Sequence, residues 1–248
     1  MTIHVVGAGR IGTAIHGIAA AQGVEGRLLR RGEPLPTESG PVVLCVRNDD
    51  LAGIVATAPR PEALVFVQNG ALLPWLRERG LGENTQGLLY FAVPTVGATP
   101  DPGAPSLFWG PHAAELVALL SEAGIAAREL ASPAELADEV AVKLLWGAVF
   151  GLLGDLHRET VLATTARREE VGALVAELLP VAHAGLGASI PAGEVTARIL
   201  AYSANLGSWR ASVKEWPWRN GWLLEQAAER GRSLPLHAAA CARLGLPT

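Results

Sequence analysis

The sequence predicts an α/β fold: an N-terminal doubly wound, mostly parallel sheet followed by an all-α C-terminal domain. Three observations predict it. A short β-branched run, residues 3–6, passes through a glycine-rich turn into an alanine-rich helical pattern. Strand and helix patterns then alternate to about residue 130, as stacked βαβ units require. After Ser132-Pro133 only helical patterns remain.

The bulk properties set the limits. A chain of 248 residues is long enough for one large domain or two modest ones. Half of it is hydrophobic and 18% is charged, which supplies a buried core and excludes disorder. The net charge of -4 and pI near 5.9 leave no broad basic face, so nucleic acid is not the expected partner. Cys45 and Cys241 are far apart and match no metal or redox spacing. The absence of a disulfide framework, of a basic-then-apolar leader and of a membrane-length apolar run leads us to expect a cytoplasmic protein with no membrane or metal site.

The first unit carries the chemistry. Gly7-Ala8-Gly9-Arg10-Ile11-Gly12 fits G-x-G-x-x-G between a predicted strand and a helix running from about Ile11 to Gln22. The three glycines act differently. Gly7 makes the tight turn, Gly9 lets a pyrophosphate approach bare backbone, and Gly12 allows close helix-strand packing. N–H groups and the dipole at the helix N-terminus then favour the phosphates. Residues 1–132 are therefore expected to form a Rossmann-type dinucleotide-binding domain. The next strand ends in Arg30-Arg31, where an NAD-binding unit usually places an acidic residue for the ribose hydroxyl. Guanidinium groups there suit a 2′-phosphate and point to NADPH; the other reading is that both are solvated loop charges.

Further strands are expected at 41–46, 63–68 and 87–93, with helices from Asp49 or Asp50 to Thr57 and over 72–79. Ligands of such sheets lie beyond the carboxyl ends of the strands, which groups the glycine loop with Arg47-Asn48 and Gln68-Asn69-Gly70. The segment 94–111, rich in Pro and Gly, is expected to be a loop with one or two edge strands. A helix over 111–123 and a strand over 125–130 complete the domain.

Residues 133–248 form the predicted helical domain, with helices near 133–152, 167–187, 191–203, 219–231 and 236–244. Lys143 interrupts the apolar run from Val140 to Leu153, and the chain has just one other lysine, Lys214. Helix periodicity alone favours a side chain that snorkels to the surface. The alternative is a general acid in a cleft, and an ordinary lysine, with pKa near 10.4, is charged at neutral pH without tuning.

The order of these motifs resembles that of the ketopantoate reductases (2-dehydropantoate 2-reductases). The shared elements are the glycine loop, Arg47, Val67-Gln68-Asn69-Gly70, Lys143-Leu144-Leu145, Ser203, Glu215 and Asn220-Gly221. The resemblance implies an NADPH-dependent reductase of a 2-oxo acid, ketopantoate or a related compound, bound between the domains. It implies that Lys143 is the general acid and that Asn69 lies by the nicotinamide and the lysine. It implies that Ser203 binds the carboxylate end of the substrate and Glu215 the hydroxyl end, close to the chemistry, and that Arg47 helps hold the cofactor phosphates. It also leaves room for a homodimer, since an exposed apolar helix face could pair two chains.

The resemblance has gaps. Four and eight residues after its lysine the family usually has substrate-contacting asparagines; here Gly147 and Gly151 stand there and are expected to leave room for a different or larger 2-oxo acid. Trp209, Trp216, Trp218 and Trp222 surround the glutamate, either packing or re-lining that pocket. Two other functions stay open: an NADP-binding redox sensor with little catalysis, and a two-domain oxidoreductase of an imine or β-hydroxy acid.

Overall fold

The computed structural model describes residues 2–101 and 103–248. The chain divides into two compact units. The first comprises residues 2–68 and 76–133. The second comprises 69–75 and 134–248, so the short Asn69–Trp75 segment groups with the helices rather than with the sheet on either side of it.

The first unit is built on seven strands: β1 (His4–Val6), β2 (Leu28–Leu29), β3 (Val42–Leu44), β4 (Leu64–Phe66), β5 (Gln86–Leu88), β6 (Ser106–Trp109) and β7 (Ala127–Glu129). Their order across the sheet is β2-β1-β3-β4-β5-β6-β7. All neighbours are parallel except β5 and β6. Every residue of β1, β3 and β4 is buried. Runs of Val, Leu, Ile and Phe form such strands because both faces of a central parallel strand are covered. On one face Ile3, Val5, Val43 and Val65 pack with Ala14, Ile15 and Ala19 of α1 (Arg10–Ala21) and with Leu116, Leu119 and Leu120 of α4 (Ala113–Glu122). Between them in the chain lie α2 (Leu51–Ala56) and α3 (Leu72–Glu78).

Three local expectations change. The strand expected over 87–93 stops at Leu88; Gly87 packs close against Phe108, and beyond it the Tyr90 N–H donates to Ser106 Oγ at 3.0 Å instead of extending the ladder. The strand within the Pro/Gly-rich segment, β6, is not an edge, because β5 and β7 flank it. Its four residues contain no proline, so each keeps its N–H for a ladder. Pro102 of that predicted loop lies outside the described residues. Finally, Asp50 stands at the N-cap of α2 without a side-chain capping bond, and the turn begins as a 3₁₀ segment, Asn48–Asp50.

The second unit is helical: α5 (Pro133–His157), α6 (Val161–Thr164), α7 (Arg168–Leu186), α8 (Ala192–Ala204), α9 (Asn220–Glu229) and α10 (Pro235–Arg243). The central α5 runs five residues past its expected end and stops at Arg158, which takes φ of +56°. Sixteen of its 25 residues are buried, from both sides of the helix. A helix apolar all round must be the centre of its unit. No helix among the described residues is long and apolar enough to cross a membrane.

Candidate functional site

In the first unit the glycine loop joins β1 to α1. Gly7 has φ of +103°, and a Cβ there would stand 2.5 Å from the carbonyl oxygen of Cys45. A Cβ on Gly12 would stand 1.9 Å from the carbonyl oxygen of Gly7. Both contacts let the helix start against the strand, and no larger residue fits. Gly9 is different: its backbone is extended at the helix N-cap, and nothing lies within 4 Å of where its Cβ would be. Ala8 is half-buried, Arg10 is exposed and Ile11 packs on the sheet core. The bare Gly9 backbone, the helix N-terminus behind it and a first turn without acidic residues suit a pyrophosphate.

Arg30 and Arg31 follow β2 and Arg47 follows β3, the two strands that flank β1. The parallel ladders therefore bring all three arginines to the sheet end that carries the glycine loop, and all three are exposed. Two carboxylates that sequence reasoning missed are there as well. Arg31 donates from Nη2 to both carboxylate oxygens of Asp50, at 3.2 and 3.1 Å. The Arg30 N–H donates to Glu33 Oε2 at 2.7 Å. Glu33 could have been noticed, since it lies within a turn of the strand end where an acidic residue has meaning.

In the second unit the site is laid out along α5. Lys143, Gly147, Gly151 and Gly154 are spaced four, four and three residues apart, so they share one face of the helix. The segment 211–219 runs along that face in the opposite direction. A Cβ on Gly154 would stand 2.8 Å from the Ala211 carbonyl oxygen, and one on Gly151 2.9 Å from that of Ser212. One on Gly147 would stand 2.7 Å from Nη1 of Arg219. Asp155 Oδ2 accepts the Val213 N–H at 2.8 Å and fixes the register. The glycines are where a backbone and a guanidinium lie flat on the helix. The room expected beside Gly147 and Gly151 is filled by the protein's own Arg219 and Ser212.

This docking brings Glu215 and Arg219 to Lys143. Glu215 takes φ of +50°, and its Oε2 accepts from Arg219 Nη2 at 2.6 Å. The Lys143 ammonium is lowered from its ordinary 10.5 to about 7, first by burial and then by the charge of Arg219, with Glu215 opposing. A lysine snorkelled into bulk water would keep its ordinary value. The expectation that Lys143 needs no tuning, with Glu215 keeping it charged, is therefore overturned: burial and Arg219 outweigh the carboxylate.

The sequence matches no protein-family model and no curated protein. Solved structures do match. A 2-dehydropantoate 2-reductase from Methylococcus capsulatus superposes with a TM-score of 0.79 at 16% identity, over 99% of this chain and 96% of that one. A ketopantoate reductase from Staphylococcus aureus, described as dimeric, gives 0.73 at 14%, over 99% and 98%. A D-mandelate dehydrogenase solved with NADH and anilino(oxo)acetate gives 0.78 at 14%, over 99% and 97%. The fold is that of the ketopantoate reductases.

On this ketopantoate reductase fold the remaining site residues are placed as follows. Asn69 is half-buried on the segment that groups with the helical unit. That segment docks on the turn after Glu215: the Ala71 N–H donates to the Trp218 carbonyl oxygen at 2.8 Å, and a Cβ on Gly70 would stand 2.5 Å from the same oxygen. Asn69 and Glu215 are thus carried by two segments locked together. Ser203 is fully buried, and its Oγ accepts from Trp146 Nε1 at 2.9 Å.

The tryptophans divide. Trp222 is buried against Gly185, Trp216 closes on Gly221, and Trp218 meets Trp75 edge-on at 6.3 Å. Trp209 is half exposed and stacks on Trp146 at 6.1 Å. Asn220 of the Asn-Gly pair is buried and bonded to His237 at 2.8 Å, an internal contact. Beside Lys143, Arg219 is the residue that sequence reasoning missed. An arginine between Trp218 and Asn220 reads as a surface charge; the only signal was the glycine stripe, which demands something close against α5.

Proposed function

We propose that this protein is a nicotinamide-dependent reductase of a 2-oxo acid, with Lys143 as general acid. The observation that carries the reading is Lys143 itself: one lysine in a buried apolar helix, with Arg219 and Glu215 beside it and its pKa brought to about 7. A proton donor works best with a pKa near the working pH. The shared fold supports the reading, and the open backbone at Gly9 supports a dinucleotide at the glycine loop.

Gly7, Ala8, Gly9, Arg10, Ile11 and Gly12 are assigned to the cofactor pyrophosphate, and Arg30, Arg31 and Arg47 to a 2′-phosphate and its neighbours, which favours NADPH over NADH. When bound, the nicotinamide supplies the hydride for the keto carbon. Lys143 delivers a proton from Nζ to the carbonyl oxygen, which becomes the hydroxyl. Asn69 is assigned to the cofactor and substrate carbonyl and Glu215 to the hydroxyl end. The buried Ser203 is assigned to holding the Trp146 indole rather than to direct substrate contact. The assembly is proposed to be a homodimer, as for the dimeric structural relative.

The test is an NADPH- and NADH-oxidation screen over ketopantoate, phenylglyoxylate and aliphatic 2-oxo acids, with Lys143→Ala as control. Turnover that depends on Lys143 and prefers NADPH supports the reading. No turnover with any 2-oxo acid, but tight nucleotide binding, supports the second reading, a nucleotide-binding sensor. The observation favouring that alternative is that Glu215 is already paired with Arg219.

A further inference from the structure

Three features of the helical unit concern the carboxylate end of the substrate, and they rest on the reductase reading above. First, Ser203 is sealed: it has no exposed surface, and its Oγ is taken by the Trp146 indole. Second, the positions one and two turns beyond Lys143 carry no side chain, so no neutral amide donors project from α5 there. Third, the surface over Gly147 is occupied by a guanidinium. Arg219 Nη1 lies 2.7 Å from where a Cβ of residue 147 would be, and Nη2 serves Glu215.

We infer that Arg219 is the carboxylate anchor of this site, and that Gly147 is glycine so that the guanidinium can reach across α5 to a 2-oxo acid held beside Lys143. A guanidinium has five N–H donors in a rigid fork. One edge can hold Glu215 while another donates to a second carboxylate, and such charge-assisted pairs are shorter and stronger than amide contacts. The side chain is largely buried, at 14% exposure, which keeps the fork oriented and weakens competition from water. Charge points the same way. Two cations, Lys143 and Arg219, face one anion, Glu215, and Arg219 is one of the groups that depress Lys143. An anion between the two cations relieves that repulsion and holds Lys143 protonated, so the group that binds substrate also readies the acid. The substrate class is therefore a 2-oxo acid with a free carboxylate, not an ester or amide.

The experiment measures binding of oxamate and its N-phenyl derivative to the full chain by calorimetry, with and without NADPH, beside the neutral analogue oxamide. Arg219→Leu, Arg219→Lys and the wild type are compared, with melting curves to verify folding. The expected result is that Arg219→Leu weakens the oxamates roughly tenfold to a hundredfold, the range for losing a charged hydrogen-bond pair. Arg219→Lys should restore part of this, and oxamide should bind all three proteins equally weakly. For any 2-oxo acid that the wild type reduces, the loss should fall mainly on KM. Unchanged oxamate affinity in Arg219→Leu, or no oxamate binding by the wild type, overturns the anchor. Tighter binding or faster turnover in Arg219→Leu overturns it too, and makes the guanidinium a plug. The two readings separate cleanly: Arg219-dependent oxamate binding without turnover of any 2-oxo acid sinks the reductase and leaves the anchor standing. Turnover with a KM indifferent to Arg219 does the reverse.

Discussion

Trp146 Nε1 donates to the Oγ of Ser203 at 2.9 Å, a bond between α5 and α8 across 57 residues of sequence. It anchors an aromatic cluster, since Trp146 also stacks on Phe150 and Trp209 and meets Tyr202 edge-on. Ser203→Ala leaves the indole N–H without its acceptor in a partly buried place. The expected cost is about 1–3 kcal/mol of stability. Denaturant unfolding reads that loss, and KM for the reduced 2-oxo acid should change little. A large rise in KM with unchanged stability would return Ser203 to direct substrate contact.

Lys143 sets the pH response. If it gives the proton, kcat/KM for reduction should fall as pH rises through about 7, and the reverse oxidation should show the opposite slope. Lys143→Ala should lose about 10²- to 10⁴-fold in turnover and the slope with it. Stability follows a separate rule. The folded pKa is depressed from 10.5 to about 7, so between those values the unfolded chain holds more protons and stability rises with pH. Below about 7 the full cost of burying the charge is present. Lys143→Met should therefore raise the melting temperature at pH 6 and 7, with the gain shrinking towards pH 10.

The two glycines beyond Lys143 should respond differently to the same substitution. Gly151→Ala drives a Cβ to 2.9 Å from the Ser212 carbonyl oxygen, which is backbone and cannot step aside cheaply. A loss of about 1–3 kcal/mol is expected, as for other overpacked sites. Gly147→Ala meets the tip of the Arg219 side chain, which can move. It should keep most of its stability, but displace the guanidinium and weaken oxamate. Thermal melts and calorimetry on the two variants test the contrast.

The glycine loop offers a cleaner separation. Gly9 has extended backbone and open space around its missing Cβ. Gly9→Ala should melt like the wild type yet bind NADPH less well, because the methyl group stands where the pyrophosphate would approach. Gly12→Ala meets the Gly7 carbonyl and should lose both stability and binding. Equal NADPH affinity in wild type and Gly9→Ala would argue against a cofactor at this loop.

His237 predicts an acid limit. Burial lowers it from 6.5 to about 4, and its Nε2 pairs with Asn220 Oδ1. With the folded pKa depressed, the unfolded chain binds the extra proton first. Its contribution is whole above about 6.5 and is lost as pH falls towards about 4. Melting temperature should drop across that window, and His237→Gln should flatten the slope. An unchanged slope in the variant would assign the acid response to other groups.

By itself the sequence determined the α/β order, the place where strands give way to helices, the glycine turn between the first strand and helix, and the isolation of Lys143. These are local properties: β-branched runs, helical periodicity and glycines with one meaning each are written in consecutive residues. Tertiary structure decided what surrounds Lys143. Residues 211–219 meet α5 from far along the chain, and no spacing rule connects Gly147 to Arg219. The glycines looked like lost donors because a sequence shows what a position lacks, not what fills it. Packing turned that loss into a seat for a guanidinium, and burial beside it moved a lysine that the sequence alone leaves at its ordinary pKa.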